Sequence, residues 1–175
     1  DTAEVRNYAK RLSSVTGHPI STFGPPNFLV IVASEDDRAA LLTQAAARIP
    51  GITPASLRAL RDMRRDTYCA VAAYALGPDR NVYTAAVAVI RAENPDLLRL
   101  SCIHEELAQG LGLANDSPAA RPSIFNDDDE FALLTRHDEL LLQMLYDPRL
   151  KPGMTAAQAA PLTRIIAREL TTGPL

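Results

Sequence analysis

Chemistry-bearing side chains concentrate in one stretch, His104-Glu105-Glu106-Leu107-Ala108-Gln109-Gly110-Leu111-Gly112-Leu113-Ala114-Asn115-Asp116. Around it, Leu97, Leu100, Ile103, Leu107, Leu111 and Ala114 recur at helical spacing and predict a long, mostly buried helix from about Pro95 to Asn115. Two acids, an amide and a histidine are costly there, because polar groups taken out of water need partners. At about 100° per residue, Ile103, Leu107, Gly110, Leu111 and Ala114 form the apolar centre. Glu105 and Gln109 point nearly opposite it, one turn apart, and His104 and Glu106 flank the stripe. A water-activating zinc helix of the H-E-x-x-H kind needs ligands at i and i+4. Counted from His104, the second ligand position is Ala108, which offers no donor.

The remaining donors on this stretch, Gln109, Asn115 and Asp116, offer hard oxygens, whereas zinc sites use mainly His and Cys, so the chemistry speaks against zinc of ordinary affinity. A hard cation such as Ca²⁺ could draw on Asp116, Asn126, Asp127, Asp128, Asp129 and Glu130, although their spacing is not that of an EF-hand loop. His137 is a second-histidine candidate if its segment folds back, and a packing residue otherwise. His18, between Gly17 and Pro19, reads as a turn residue. No Gly-rich phosphate loop, G-x-S-x-G elbow or Cys-x-x-Cys pair is present.

The elements that must position these groups follow from periodicity. Val5, Tyr8, Ala9, Leu12 and Val15 predict an amphipathic helix closed by Gly17. Asn27 to Ala33 (NFLVIVA) predicts a central strand. Ser34 with Asp37, followed by Ala39, Leu41, Leu42, Ala45 and Ala46, predicts a helix ending near Pro50. A short helix follows over 54–65 with Thr53 as its cap. Arg58, Arg61 and Arg65 share a face of it, which Asp62 and Asp66 balance as a solvated charge surface. The runs 68–76 and 82–90, either side of Gly77-Pro78-Asp79-Arg80, predict an antiparallel hairpin. A polar loop covers 117–130, Thr135 and Asp138 cap a helix running to Tyr146, and a last helix spans 155–170 with Pro161 as a kink or break.

Length and composition bound the whole. A chain of 175 residues that is 47% hydrophobic can bury roughly 70% of its unfolded surface, so intrinsic disorder is excluded and a single domain over 1–175 is expected. The charge of -3 argues against nucleic acid as a partner. No apolar run reaches the ~18 residues of a membrane span, and Asp1 opens on a polar segment with no leader pattern, so a soluble chain is expected whose targeting signal lies upstream or has been removed. Cys69 and Cys102 read equally as two buried thiols or one bridge.

The order Gly110-Leu111-Gly112-Leu113, then Ser123-Ile124-Phe125, then Leu134-Thr135-Arg136-His137-Asp138 through Leu145-Tyr146 resembles the matrixin branch of the metzincin metallopeptidases over about 45 residues. It also resembles a zincin-like group of bacterial cell-envelope proteins carrying the H-E-E-L-x-Q-x-L-G-L-x-N-D stretch. The resemblance implies a single α/β (α+β) zincin-like domain with a small mixed sheet packed on a buried active-site helix. Without a gap, it puts the family's first zinc histidine at Glu105, its catalytic glutamate at Glu106, its second histidine at Gln109 and its third at Asn115. Every histidine is replaced. A register keeping His104-Glu105 as the H-E pair needs one inserted residue in the helix, such as a π-bulge. Phe125 takes the methionine-turn position. In this frame Glu105 and Glu106 are the catalytic candidates, and His104, Gln109, Asn115, Asp116 and His137 the metal-ligand candidates. The same frame implies a Cys69–Cys102 bridge and a periplasmic or cell-surface location. The function implied is a pseudo-enzyme that binds a peptide or protein in the former cleft. An active metallopeptidase with an unusual ligand set is its rival, and a purely structural envelope protein is a third reading.

Overall fold

Alternation of apolar side chains lets three short strands bury both faces, and the helices fall into two layers to cover them. The computed structural model describes residues 1–126 and 130–172. Its elements are α1 (Thr2–Thr16), β1 (Phe28–Ala33), α2 (Arg38–Ala46), α3 (Arg58–Arg61), β2 (Cys69–Tyr74), β3 (Ala85–Arg91), α4 (Asp96–Gly110), α5 (Arg136–Leu145) and α6 (Ala156–Thr172). The protein is thus mixed α/β, with a small mixed sheet in the order β1-β3-β2. The expected hairpin is present: β2 and β3 are antiparallel, with Cys69 opposite Ile90 and Tyr74 opposite Ala85. β1 runs parallel to β3, with Phe28 opposite Ala86.

One expectation is corrected here. The run 27–33 reads as a central strand, yet β1 lies at an edge, half-buried along most of its length, and β3 is central and buried throughout. Its small residues Ala86 and Ala88 are covered as completely as its larger ones. Depth in the sheet therefore does not follow side-chain size.

The two faces feed two cores. Val30, Val32, Cys69 and Ile90 pack with Tyr8, Leu12, Cys102, Ile103, Leu107, Phe125 and Leu142. Leu29, Ile31, Ala70, Ala72, Val87 and Val89 pack with Leu42, Ile49, Leu57, Leu60 and Met63. The helix carrying the polar stretch thus lies against one face of the sheet. It ends at Gly110, five residues before the expected Asn115, and Leu111 and Gly112 turn the chain away, Gly112 with a φ of 125°. The short helix expected over 54–65 reduces to the single turn of α3. The last helix passes through Pro161 without a break.

Two features fix α4. The Cys69–Cys102 disulfide joins it to β2; in the chain-entropy picture a loop of this length stabilises by roughly 3 to 4 kcal/mol. Gly110 faces the sheet so closely that a Cβ there would lie 2.5 Å from the ring of Phe28 and 3.3 Å from Val71. Below them, Asp138 is fully buried and accepts from Ser123 Oγ (2.5 Å), Ile124 N (3.2 Å), Thr135 N (2.8 Å) and Thr135 Oγ1 (2.8 Å). The expected Thr135–Asp138 cap is present, and it also ties the 123–125 segment under the helix.

Gly110→Ala adds a methyl where the ring of Phe28 stands. It is expected to lower the unfolding free energy by about 1 to 2 kcal/mol in urea titration, overpacking outweighing the gain in helix propensity. Adding Phe28→Leu should make the combined loss smaller than the sum of the single losses.

Candidate functional site

Helix α4 carries its polar groups on two flanks. Residues 104 and 106 are two positions apart, so their side chains diverge by about 200° around the axis, and the structure gives them different neighbours.

On one flank His104 stacks on Tyr8, with ring centroids 4.0 Å apart. Its Nδ1 accepts the Leu134 backbone N–H at 3.1 Å, which leaves the ring proton of the neutral form on Nε2. Tyr8 Oη donates to the His104 carbonyl at 2.8 Å. Burial, followed by the nearby Arg11 guanidinium, holds the imidazole well below its ordinary value, at about 4.

On the other flank Glu106 is only 4% exposed. Burial pushes its carboxyl up to about 8, with help from the charges of Glu105 and Asp116, and the Val71 backbone N–H pulls in the opposite direction as a donor to it. Its Oε2 has no hydrogen-bond partner. Glu105, half-buried, brings a carboxyl oxygen within 4.8 Å of one from Glu106 and of Cys69 Sγ. Gln109, also half-buried, donates through Nε2 to Asp116 Oδ1 at 2.9 Å.

The donor of the Glu106 carboxyl belongs to a free strand edge. Arg91 N–H donates to the Tyr68 carbonyl at 3.1 Å, so even-numbered residues along β2 turn their backbone groups toward β3. The N–H and C=O groups of Cys69, Val71 and Ala73 consequently point away from the sheet. No strand pairs with them among the described residues. The side chains of Cys69 and Val71 lie on the α4 face.

The candidates named from sequence therefore separate. Glu105, Glu106 and Gln109 come together at the β2 edge, with the exposed Asp116 bonded to Gln109. His104 stands on the far flank with its Nδ1 already engaged. Asn115 is exposed beyond the helix end, and His137 is half-buried in the first turn of α5. Among the described residues, the one group of three possible ligands within 4.8 Å is Cys69, Glu105 and Glu106, and the Cys69 sulfur is committed to the disulfide. Of the acidic loop considered for Ca²⁺, Asp127, Asp128 and Asp129 lie outside the described residues. Asn126 is buried and Glu130 pairs with Arg121.

Two cavities lie elsewhere. An open groove of about 530 Å³, lined by Glu35, Asp36, Arg65, Tyr68, Arg91 and Asn94, opens beyond the carboxyl ends of β1 and β3. Two of its charges are bound up in structure: Arg91 pairs with Glu35 and donates to the Thr67 carbonyl at 2.7 Å, and Glu35 also pairs with Arg38 at 2.9 Å. A smaller one of about 250 Å³ lies beside Tyr8, Arg11 and His104. Neither includes Glu105 or Glu106. The free edge of β2 is a candidate binding feature that the sequence does not reveal, because strand order decides it.

Fold and site together define a mixed α/β domain that holds a buried carboxyl against an open strand edge. The chain belongs to the family described as protein of unknown function (DUF2927), which matches residues 1–165. No curated protein and no solved structure matches it.

The two flanks give stability opposite pH dependences. Glu106 has a folded-state value above its unfolded one of 4.5, so its contribution is complete below pH 4.5 and is lost as pH rises to about 8. His104 has a folded value of about 4, below its unfolded 6.5, so stability is lost as pH falls between those limits. Stability should peak near pH 5 to 6. Glu106→Gln should remove most of the alkaline decline, worth on the order of 3 kcal/mol, in urea titrations at pH 5.5 and 8.5; an unchanged decline would place its cause outside Glu106.

Proposed function

We propose that this is a non-catalytic, zincin-like binding domain that takes an extended peptide or protein segment along the free edge of β2. The observation that carries this is the outward-facing backbone of Cys69, Val71 and Ala73 beside Glu105 and Glu106. Strand addition to an open edge supplies main-chain hydrogen bonds, and the flanking side chains supply selectivity. Descent from a metallopeptidase is part of the proposal. What supports it is the buried Ser123-Ile124-Phe125 segment tied to Asp138, together with the helix and following turn that carry Glu105, Gln109 and Asn115, the positions the metzincin resemblance aligns with zinc ligands. Those residues do not assemble a histidine ligand set, which is why binding is placed ahead of hydrolysis. The disulfide favours an oxidising compartment, and the periplasm or cell surface is the location proposed. No helix among the described residues is long and apolar enough to cross a membrane.

An active metallopeptidase is the second reading. The Glu105–Glu106 pair favours it, since a carboxyl raised to about 8 is poised to donate or accept a proton near neutral pH.

Two measurements separate the readings. In ¹⁵N-resolved NMR, the blocked peptide acetyl-Thr-Val-Gln-Val-Thr-amide should shift the amides of Cys69, Val71 and Ala73, and a version with proline in place of both valines should not. Incubation of the protein with an unstructured polypeptide, with and without added Zn²⁺, should leave that polypeptide intact. Cleavage that disappears in Glu106→Gln would put the peptidase first.

A further inference from the structure

The edge of β2 is not equally receptive to every side chain. Residues directly opposite each other on paired strands point to the same face of the sheet. Val71 points toward α4, where its Cγ2 stands 3.3 Å from the position of a Gly110 Cβ. A residue of an added strand that lies opposite Val71 therefore directs its side chain to the α4 face, where Glu105 and Glu106 present carboxyl oxygens within 4.8 Å of each other.

Strand addition also changes what Glu106 holds. The Val71 N–H lies toward this carboxyl, and it is one of the outward groups an added strand would take. Once an incoming carbonyl accepts it, that N–H is no longer available to Glu106, which remains almost wholly buried with an Oε2 that has no partner. A buried carboxyl left without donors is strongly unfavourable. Asp116, bonded to Gln109 one turn further along, adds negative potential to the same flank. A neutral aliphatic side chain offers Oε2 no donor, and an acidic one would add negative charge beside Glu105.

Building on the proposed strand addition, we infer that the preferred peptide carries a lysine or arginine opposite Val71, its cationic group lying between Glu105 and Glu106. The ammonium or guanidinium group donates to the unpartnered Oε2 and offsets the negative potential of Glu105 on the same flank. Recognition is an exchange in which main chain takes over the strand edge and a cation takes over the carboxyl.

The test uses acetyl-Thr-Val-X-Val-Thr-amide with lysine, glutamine or glutamate at X, titrated into the protein and into its Glu106→Gln and Glu105→Gln variants, with the Cys69, Val71 and Ala73 amides followed by NMR. The lysine peptide should bind about tenfold more tightly than the glutamine peptide, the scale of one charge-assisted hydrogen bond, and the glutamate peptide more weakly than either. In Glu106→Gln, an isosteric change, the lysine preference should fall to about twofold or less, and Glu105→Gln should reduce it in part. Equal affinities for lysine and glutamine, with the same amides shifting, would overturn this inference and leave strand addition standing. A lysine preference that persists in both variants would trace to the acidic surface at large and overturn it too. If no peptide shifts those amides, strand addition itself fails and the inference with it.

Discussion

The close approach of α4 to the sheet is the constraint on which the arrangement depends. Gly110 offers no side chain where the ring of Phe28 stands, and Cys102 is bonded to Cys69 on β2. With one end of the helix seated on β1 and β2 and its middle fastened to β2, the rotation of α4 about its own axis is set. The direction of every other side chain on it then follows from helical geometry. His104 must face α1, and Glu106 must face the edge of β2. A helix seated less closely, or turned by a third of a revolution, would place Glu106 in water and leave the strand edge with no carboxyl beside it.

This setting accounts for how so polar a helix can be buried. His104 is held down and Glu106 is pushed up, in both cases chiefly by loss of water, so at neutral pH the imidazole is uncharged and the Glu106 carboxyl is largely protonated. The helix carries polarity into the core without carrying charge. Where charge remains, it lies outward: Glu105 is half-buried, and Asp116 is exposed. The nearby pairing of Arg91 and Arg38 with Glu35 meets the same problem differently, by surrounding one carboxylate with two guanidinium groups. That pairing joins the end of β3 to the start of α2.

Local patterns made most elements legible. The stripe of α1 with its Gly17 stop, the hairpin of β2 and β3, and the Thr135–Asp138 cap all rest on residues close in sequence, where periodicity and capping chemistry act directly. Strand order was not legible. Pairing β1 with β3 brings together segments separated by α2, α3 and β2, and nothing in NFLVIVA distinguishes an edge from a centre. Legibility of the site divides in the same way. Helical angle alone already set His104 apart from Glu105 and Gln109. The depth of Glu106 could not be read, because it depends on β2 lying alongside α4. The second role of Asp138 was hidden for the same reason: a capping box is visible in Thr135-Arg136-His137-Asp138, but the hydrogen bonds to Ser123 and Ile124 come from a loop that only the fold brings near.

An open strand edge is also a hazard, because any extended chain can pair with it, including a second copy of the same protein. Proteins commonly manage such edges with inward-pointing charged residues, bulges or covering loops. Here the backbone N–H of Val71, in the middle of the exposed row, faces an ionisable group from the helix behind. This placement makes indiscriminate pairing less favourable, since each incoming strand must dock beside a buried carboxyl whose Oε2 has no partner. The same contact therefore protects the edge from the wrong chain and, on the proposed reading, selects the right one. On that reading one glutamate, held in place by a glycine four residues on and a disulfide four residues back, serves both protection and selectivity.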